Sequence, residues 1–310
     1  MATSGSINFN LTRNDIITQA LYMVGAASID QAVSNEDLSY GNNLLNMMVK
    51  SWQVAGIKLW RYAEATLFFA DADNTYTLSS SGDRASETVV ETTLSAAEAS
   101  GQTLLSVTST TGMTASDFIG IELDSGDLQW TTISSVTSST SVTVAVALTG
   151  AAASGNFVYS FTTKINRPLE ITQMRSRDPD GNDLVMTPLS RDQYFALNDK
   201  TQAGRATQYF YDPQLSSGSV YVWPTPDDVQ YRVKFTYKQS LEDFDGSSDD
   251  PDFPQEWLLP IVSNLALLLC AAYSVSDSKY TIIKNTAETY YQSILGNDQE
   301  KTAITFTFNR

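Results

Sequence analysis

The chain has 310 residues, 42% of them hydrophobic and 17% charged, with 19 Lys plus Arg against 35 Asp plus Glu, a net charge of −16, no histidine and a single cysteine, Cys270. Without His there is no Ser-His-Asp triad, no Cys-His pair, no imidazole base and no histidine metal ligand; one cysteine excludes an intrachain disulfide and a Cys-rich zinc site. The acidity disfavours a protein that grips nucleic acid by neutralising phosphates, though not one that lets it slide past.

Met1–Phe9 is small and polar, with no pattern of a secretory signal, so a soluble protein of a reducing compartment is expected. Leu11-Thr12-Arg13-Asn14-Asp15-Ile16 then reads as a capping box with a hydrophobic staple. Ile16, Ile17, Ala20, Leu21 and Val24 share one helical face, and Gly25 ends the helix. Ser34 with Asp37 starts a second helix, whose apolar seam is Leu38, Gly41, Leu45, Met48, Trp52 and Ala55. The two helices, 12–24 and 34–55, are expected to form a helical hairpin. Leu59–Phe69 and Asn74–Leu78 read as strands.

Composition then shifts. Ser86–Thr163 holds no Lys or Arg, and its seven carboxylates contribute −7 of the −16. Alternating runs at Thr103–Thr108, Phe118–Leu123, Gln129–Ser134, Ser141–Ala147 and Asn156–Thr162 suit a small antiparallel sandwich or barrel inserted into a host fold. A disordered Ser/Thr linker is the alternative, and Phe118, Ile119, Trp130 and Phe157 argue against it.

Past Lys164, strands are expected at Leu169–Arg177 and Leu184–Pro188, around a turn at Asp178–Asp183. Ser190 with Gln193 caps a short helix. Further strands are expected at Ala206–Tyr211, Ser219–Trp223 and Val229–Lys238. In the last, Val229, Tyr231, Val233, Phe235 and Tyr237 form a covered face, and Gln230, Arg232, Lys234, Thr236 and Lys238 a wet one. An acidic loop, Leu241–Asp252, leads to an apolar helix over 254–273, kinked or restarted at Pro260. Its run WLLPIVSNLALLLCAAY, interrupted by Pro260, Ser263 and Asn264, is short of the ~20 residues of a membrane span. A helix apolar nearly all round needs neighbours on several sides, which an oligomer supplies; Trp257, Leu258, Ile261, Leu265 and Leu268 are therefore expected at a ring interface. A last helix over 277–295 follows. In 303–308, Ile304, Phe306 and Phe308 alternate, so this segment, with Arg310, reads as a strand-addition arm onto another subunit.

Only carboxylates could act as acid and base here. Glu64, Glu87, Glu91, Glu122 and Glu170 are candidates for a glycosidase-type pair, against the plainer reading of solvated surface groups. Asp178, Asp180 and Asp183 lack the order of a calcium loop, and a hairpin turn is expected. The 241–252 loop reads as a cation site or, more simply, a solvated linker. Lys164, Arg167, Arg175, Arg177 and Arg191 read as a face for a partner or DNA, or as isolated exposed cations. Cys270 reads as a small buried hydrophobe.

Several of these segments carry a resemblance. Arg167-Pro168-Leu169, Pro188-Leu-Ser-Arg-Asp-Gln-Tyr194, Lys200-Thr-Gln-Ala-Gly-Arg-Ala-Thr-Gln-Tyr209, Tyr221-Val-Trp-Pro-Thr-Pro226, Asp250-Pro-Asp-Phe-Pro-Gln-Glu-Trp257 and Asn264-Leu-Ala266 occur in an order that resembles the head-to-tail adaptors of short-tailed phages. These are also called tail accessory factors or packaged-DNA stabilisation proteins. Trp52-Gln-Val-Ala-Gly-Ile57 fits the same pattern, and the resemblance covers about 1–85 and 164–300.

The resemblance implies a structural virion protein at the head–tail interface, assembled in the host cytoplasm, with no catalytic residue, cofactor or metal. It implies a homo-oligomeric ring, dodecameric, below the portal protein. Such a ring extends the channel through which genomic dsDNA passes during ejection without specific binding, and it is a platform for tail nozzle and fibres. No membrane partner is implied. The expected fold is α+β: a helical core (the hairpin plus two C-terminal helices) with a small antiparallel β region and an inserted all-β sandwich- or barrel-like domain. The expected domains are 1–85 with 164–300 as adaptor core, 86–163 as the insertion, and 301–310 as the arm. Two other functions stay open: a tail-associated peptidoglycan-degrading enzyme, and a receptor- or glycan-binding tail protein using the insertion.

Overall fold

The computed structural model describes residues 5–54 and 61–297. In chain order, helices α1 (Arg13–Val24) and α2 (Asn35–Val54) precede strands β1 (Tyr62–Phe68), β2 (Thr75–Leu78), β3 (Ala85–Ser86), β4 (Val90–Thr93), β5 (Leu104–Ser106), β6 (Phe118–Glu122), β7 (Leu128–Ser138), β8 (Ser141–Val144) and β9 (Phe157–Phe161). Then come β10 (Glu170–Arg177), β11 (Asp183–Val185), β12 (Thr187–Pro188), α3 (Arg191–Phe195), β13 (Gln208–Pro213), β14 (Gly218–Trp223) and β15 (Arg232–Lys238). Helices α4 (Leu258–Leu269) and α5 (Asp277–Asn297) follow. The class is α+β.

The chain divides into two units, 1–61 with 241–310, and 62–240. The first is helical. Helix α1 starts at a complete capping box: the Asp15 N–H donates to Thr12 Oγ1 at 3.3 Å and the Thr12 N–H to Asp15 Oδ2 at 3.1 Å. It stops at Gly25, whose φ of 79° lets its N–H reach back to the Leu21 and Tyr22 carbonyls. The apolar face named in the sequence (Ile16, Ile17, Ala20, Leu21, Val24) is buried against α2 and α4.

Helix α4 begins later than expected. A 3-10 turn at Gln255–Trp257 precedes it, so Pro260 falls in the first turn, where a missing N–H leaves no helix bond unmade. Of the kink or restart expected at Pro260, the structure shows the start of a helix. Among the described residues no helix is long and apolar enough to cross a membrane.

The second unit is all but one short helix β. A five-stranded sheet in the order β11-β10-β15-β1-β3 and a four-stranded sheet β12-β13-β14-β2 enclose one core. That core includes Leu67, Tyr76, Met174, Val220 and Phe235. The expected strand over 184–188 is in fact two. Leu184 pairs with Ser176 in the first sheet, Thr187 pairs with Gln208 in the second, and buried Met186 lies between them. A chain crossing from sheet to sheet keeps its apolar alternation, so the sequence shows no break.

A six-stranded sheet, β4-β9-β6-β7-β8-β5, holds the residues of the non-basic segment. Its edges meet through a Leu94–Val107 bridge, curling the sheet around a core of Leu105, Ile119, Ile121, Val142 and Val158. Closure removes open edges, which suits a sheet with no lysine to guard them. Strand β4, unread in the sequence, is needed for that closure.

The expected wet face of β15 is not wet at Arg232. Its side chain is 8% exposed, donating to Tyr159 Oη at 2.8 Å and pairing with Glu91 at 2.9 Å. Both partners belong to the six-stranded sheet, which covers this end of β15. Phe68 of β1 adds ring contacts to Tyr159 and Trp130, with centroids 4.8 and 5.1 Å away.

Candidate assembly interface

Any assembly surface of the helical unit is what remains after its internal packing. Trp52 on α2 anchors that packing, with ring centroids 4.9 Å from Tyr291 on α5 and 5.8 Å from Trp257. The α2 start is held by Asp37. Its carboxyl accepts from Tyr273 Oη and from Ser34 Oγ, which hold it below the usual carboxylate range. Burial and the Asp37 charge push the Tyr273 hydroxyl up to about 12.

The five residues expected at a ring interface divide. Trp257, Ile261 and Leu265 are buried in the core that α4 shares with α1, α2 and α5, and Leu258 is buried as well. Leu268 is exposed, and so is Leu259. These two lie half a turn out of phase on a helix of about 3.6 residues per turn, so they belong to different faces. Met47 on α2 and Ile282 and Tyr290 on α5 are exposed as well. Cys270 is buried, and burial raises its thiol. The expected arm residues Ile304, Phe306, Phe308 and Arg310 lie outside the described residues.

The acidic loop is more than a linker. Leu241 and Phe244 are buried in the helical core. Asn46 accepts from the Phe244 N–H at 2.9 Å, and Lys50 pairs with Asp243 at 2.6 Å. The Asp249 and Ser247 carbonyls accept from the Arg13 and Asn14 N–H groups at 2.8 and 3.3 Å. Those two donors have no partner within α1, so the loop satisfies a helix N-terminus. Glu242, Asp243, Asp245, Asp249, Asp250 and Asp252 line a cavity there. Burial and Glu242 raise the Asp252 carboxyl, while Arg61 opposes them. Among the described residues no group of three or more His, Cys, Asp or Glu is placed to hold a metal ion.

In the β unit, four of the candidate catalytic carboxylates tie strands together. Glu64 pairs with Arg175. Glu87 accepts from Tyr237 Oη at 2.6 Å, and Glu91 takes Arg232. Glu122 accepts from the Phe157 N–H at 3.0 Å and from Gln230 Nε2 at 2.5 Å. Glu170 is exposed at the start of β10. Asp178 accepts from the Asn182 N–H at 2.7 Å, closing the expected turn, which Gly181 allows with φ 86°. Asp183 takes Arg177 at 2.7 Å, and that bond lowers its carboxyl.

The cations do not form one stripe. Lys164 donates to the Gly82 carbonyl and lies 5.1 Å from the Phe118 ring centroid, while Arg191 pairs with Asp212 at 3.1 Å.

One surface was missed in the sequence. Residues 7–11 alternate Ile7, Phe9 and Leu11, a period-two signal hidden by taking the segment as merely polar. Leu11 packs on the helical core, while Ile7 is 90% and Phe9 66% exposed.

A family model described as SU10 adaptor protein matches residues 127–304. The match runs from β7 through α4 and α5. It begins inside the six-stranded sheet, so 127–163 belongs to the family pattern and is not wholly a departure from it. A comparison with curated proteins finds no match.

Proposed function

The chain belongs to the SU10 adaptor protein family, which are phage structural proteins acting as adaptors between head and tail, and from that premise we propose that it is the ring-forming connector beneath the portal. The observation that carries the reading is the family match over 127–304, which takes in the whole α4–α5 pair. In the proposed assembly, twelve copies form a ring that extends the DNA channel and offers a platform to nozzle and fibres.

Ring contacts between identical copies are head-to-tail: one surface of a copy meets a different surface of the next. Apolar residues left on separate faces of the helical unit, Leu259 and Leu268 of α4 among them, support that arrangement. The buried α4 residues then act by holding α4 in place. The net charge of −16 suits a channel that passes DNA, since like charge repels phosphates instead of binding them. The segment bearing Ile304, Phe306, Phe308 and Arg310 is proposed as the arm that reaches a neighbouring copy or the portal.

The test is assembly of the full chain with its portal, followed by sedimentation. A Leu259→Asp/Leu268→Asp chain is expected to keep its circular dichroism and Tm and to lose ring formation by at least tenfold in concentration. Leu259 and Leu268 are 46% and 41% exposed, so ring contact can bury less than half of each, worth about 1 kcal/mol apiece, and the loss of both is resolved. A variant ring that forms at the wild-type concentration overturns this use of α4.

A further inference from the structure

The arm of the proposed ring needs an acceptor edge, and the pairing that supplies one rests on the ring reading. Residues 7–10 run outside any helix or strand and are poised for pairing. The N–H groups of Ile7, Asn8, Phe9 and Asn10 have no partner among the described residues. The segment is nevertheless held in place, because Gln255 Nε2 donates to the Ile7 carbonyl at 2.5 Å. Its apolar stripe continues outward from the core at Leu11 through Phe9 to Ile7, 66% and 90% exposed.

A second segment has the same design. Ser-Ile-Asn-Phe-Asn-Leu (6–11) and Ala-Ile-Thr-Phe-Thr-Phe (303–308) both place Ile, then Phe, then a large apolar residue at every second position, with Asn or Thr between. Laid side by side as strands, each gives the other an aliphatic or aromatic cross-strand partner on one face and a polar partner on the opposite face. Two strands alone are marginal in water, but this pair would be anchored on the core through Leu11 and Gln255.

We propose that residues 7–10 of one copy are the acceptor edge for segment 303–308 of the next copy in the ring. Donor and acceptor are different segments of the same chain, which is the heterologous contact that closes rings. The acceptor also lies near the part of α5 that carries Tyr291. Gln255, which holds Ile7, is two residues from Trp257, whose ring is 6.3 Å from that of Tyr291 in the last turns of α5. Residues 298–303 then span up to about 20 Å in extended form, enough to leave one copy and meet another.

The test mixes two full-length single variants, Phe9→Cys and Phe306→Cys, in assembled material and adds a short bismaleimide. Phe9 is exposed, so its replacement leaves the helical core untouched; wild-type chain, with only buried Cys270, is the background. Leu215→Cys, 97% exposed in the other unit, replaces Phe9→Cys as the control. Covalent dimers carrying a 9–306 link, at least tenfold above that control, are the expected result. Intact rings with no such dimer overturn the pairing and leave the ring reading standing. So does Phe306→Cys joined only to portal, or, in a Phe9→Cys/Phe306→Cys chain assembled in parallel, a 9–306 link found only within single chains. Absence of any wild-type ring shows the ring reading itself to be wrong.

Discussion

Gly41 gives a sharp test of the helical unit because two effects of known size oppose each other there. Gly41 lies in α2, and a Cβ on it would sit 2.4 Å from Ile17 Cγ2, with Ile17 Cγ1 at 3.4 Å. Intrinsic propensity alone says that Gly41→Ala should stabilise the helix by about 1 kcal/mol. The contact says otherwise. Ile17 is fully buried, and its β-branched side chain is held to one χ1 well in a helix, so the methyl cannot swing away. Overpacking of this kind costs about 1–3 kcal/mol, and a contact this short belongs at the upper end. The net expectation for Gly41→Ala is a loss of about 1–2 kcal/mol, read from urea unfolding followed by far-UV circular dichroism. Ile17→Ala removes the clashing methyl, so a double-mutant cycle should show a coupling of about 1–2 kcal/mol. A Gly41→Ala chain that is more stable than wild type, with no coupling to Ile17→Ala, would refute the close α1–α2 approach.

Two other predictions concern the β unit. Arg232→Met keeps the apolar stem but deprives Tyr159 Oη of its donor and Glu91 of its partner; because Glu91 is 43% exposed and regains water, the expected loss is about 2–3 kcal/mol, short of a fully buried pair. A chemical-unfolding midpoint unchanged from wild type would contradict the burial of Arg232. Asp183 has its carboxyl lowered chiefly by the Arg177 hydrogen bond. Its stabilisation is therefore present above the unfolded pKa, near 4, and lost as pH falls through the lower folded value. Asp183→Asn should differ from wild type by about 1 kcal/mol or less at neutral pH, for a pair near the surface, and the difference should vanish in acid. A gap that is the same at pH 7 and pH 3 would argue against the linkage.

Local chemistry was readable wherever it acts over a few residues. Thr12 with Asp15 and Ser190 with Gln193 both form complete capping boxes, because the four-residue spacing alone places the groups. The α2 seam was readable too from Leu38 to Trp52, its last member Ala55 lying outside the described residues, and Gly41 within it marks the close approach of α1. What failed was long-range. Alternation along β15 places Arg232 opposite Phe235, but nothing near Arg232 in sequence reports that Tyr159 and Glu91 will cover it. Likewise Met186 looks like the middle of one strand, and only the pairing of its neighbours shows two sheets. The apolarity of α4 alone points to other subunits, yet α1, α2 and α5 of the same chain cover most of it. Exposed apolar residues are those left over after packing, and Ile7 and Phe9 stand out as such because Leu11, two residues on, is joined to the core.

The most direct measurement of the central claim is electron imaging of the full chain mixed with purified portal rings from the same virion. A closed ring of this chain seated coaxially on the portal, with an open central channel, is the expected result. Portal rings that remain bare at chain concentrations well above those of virion assembly would contradict the connector account.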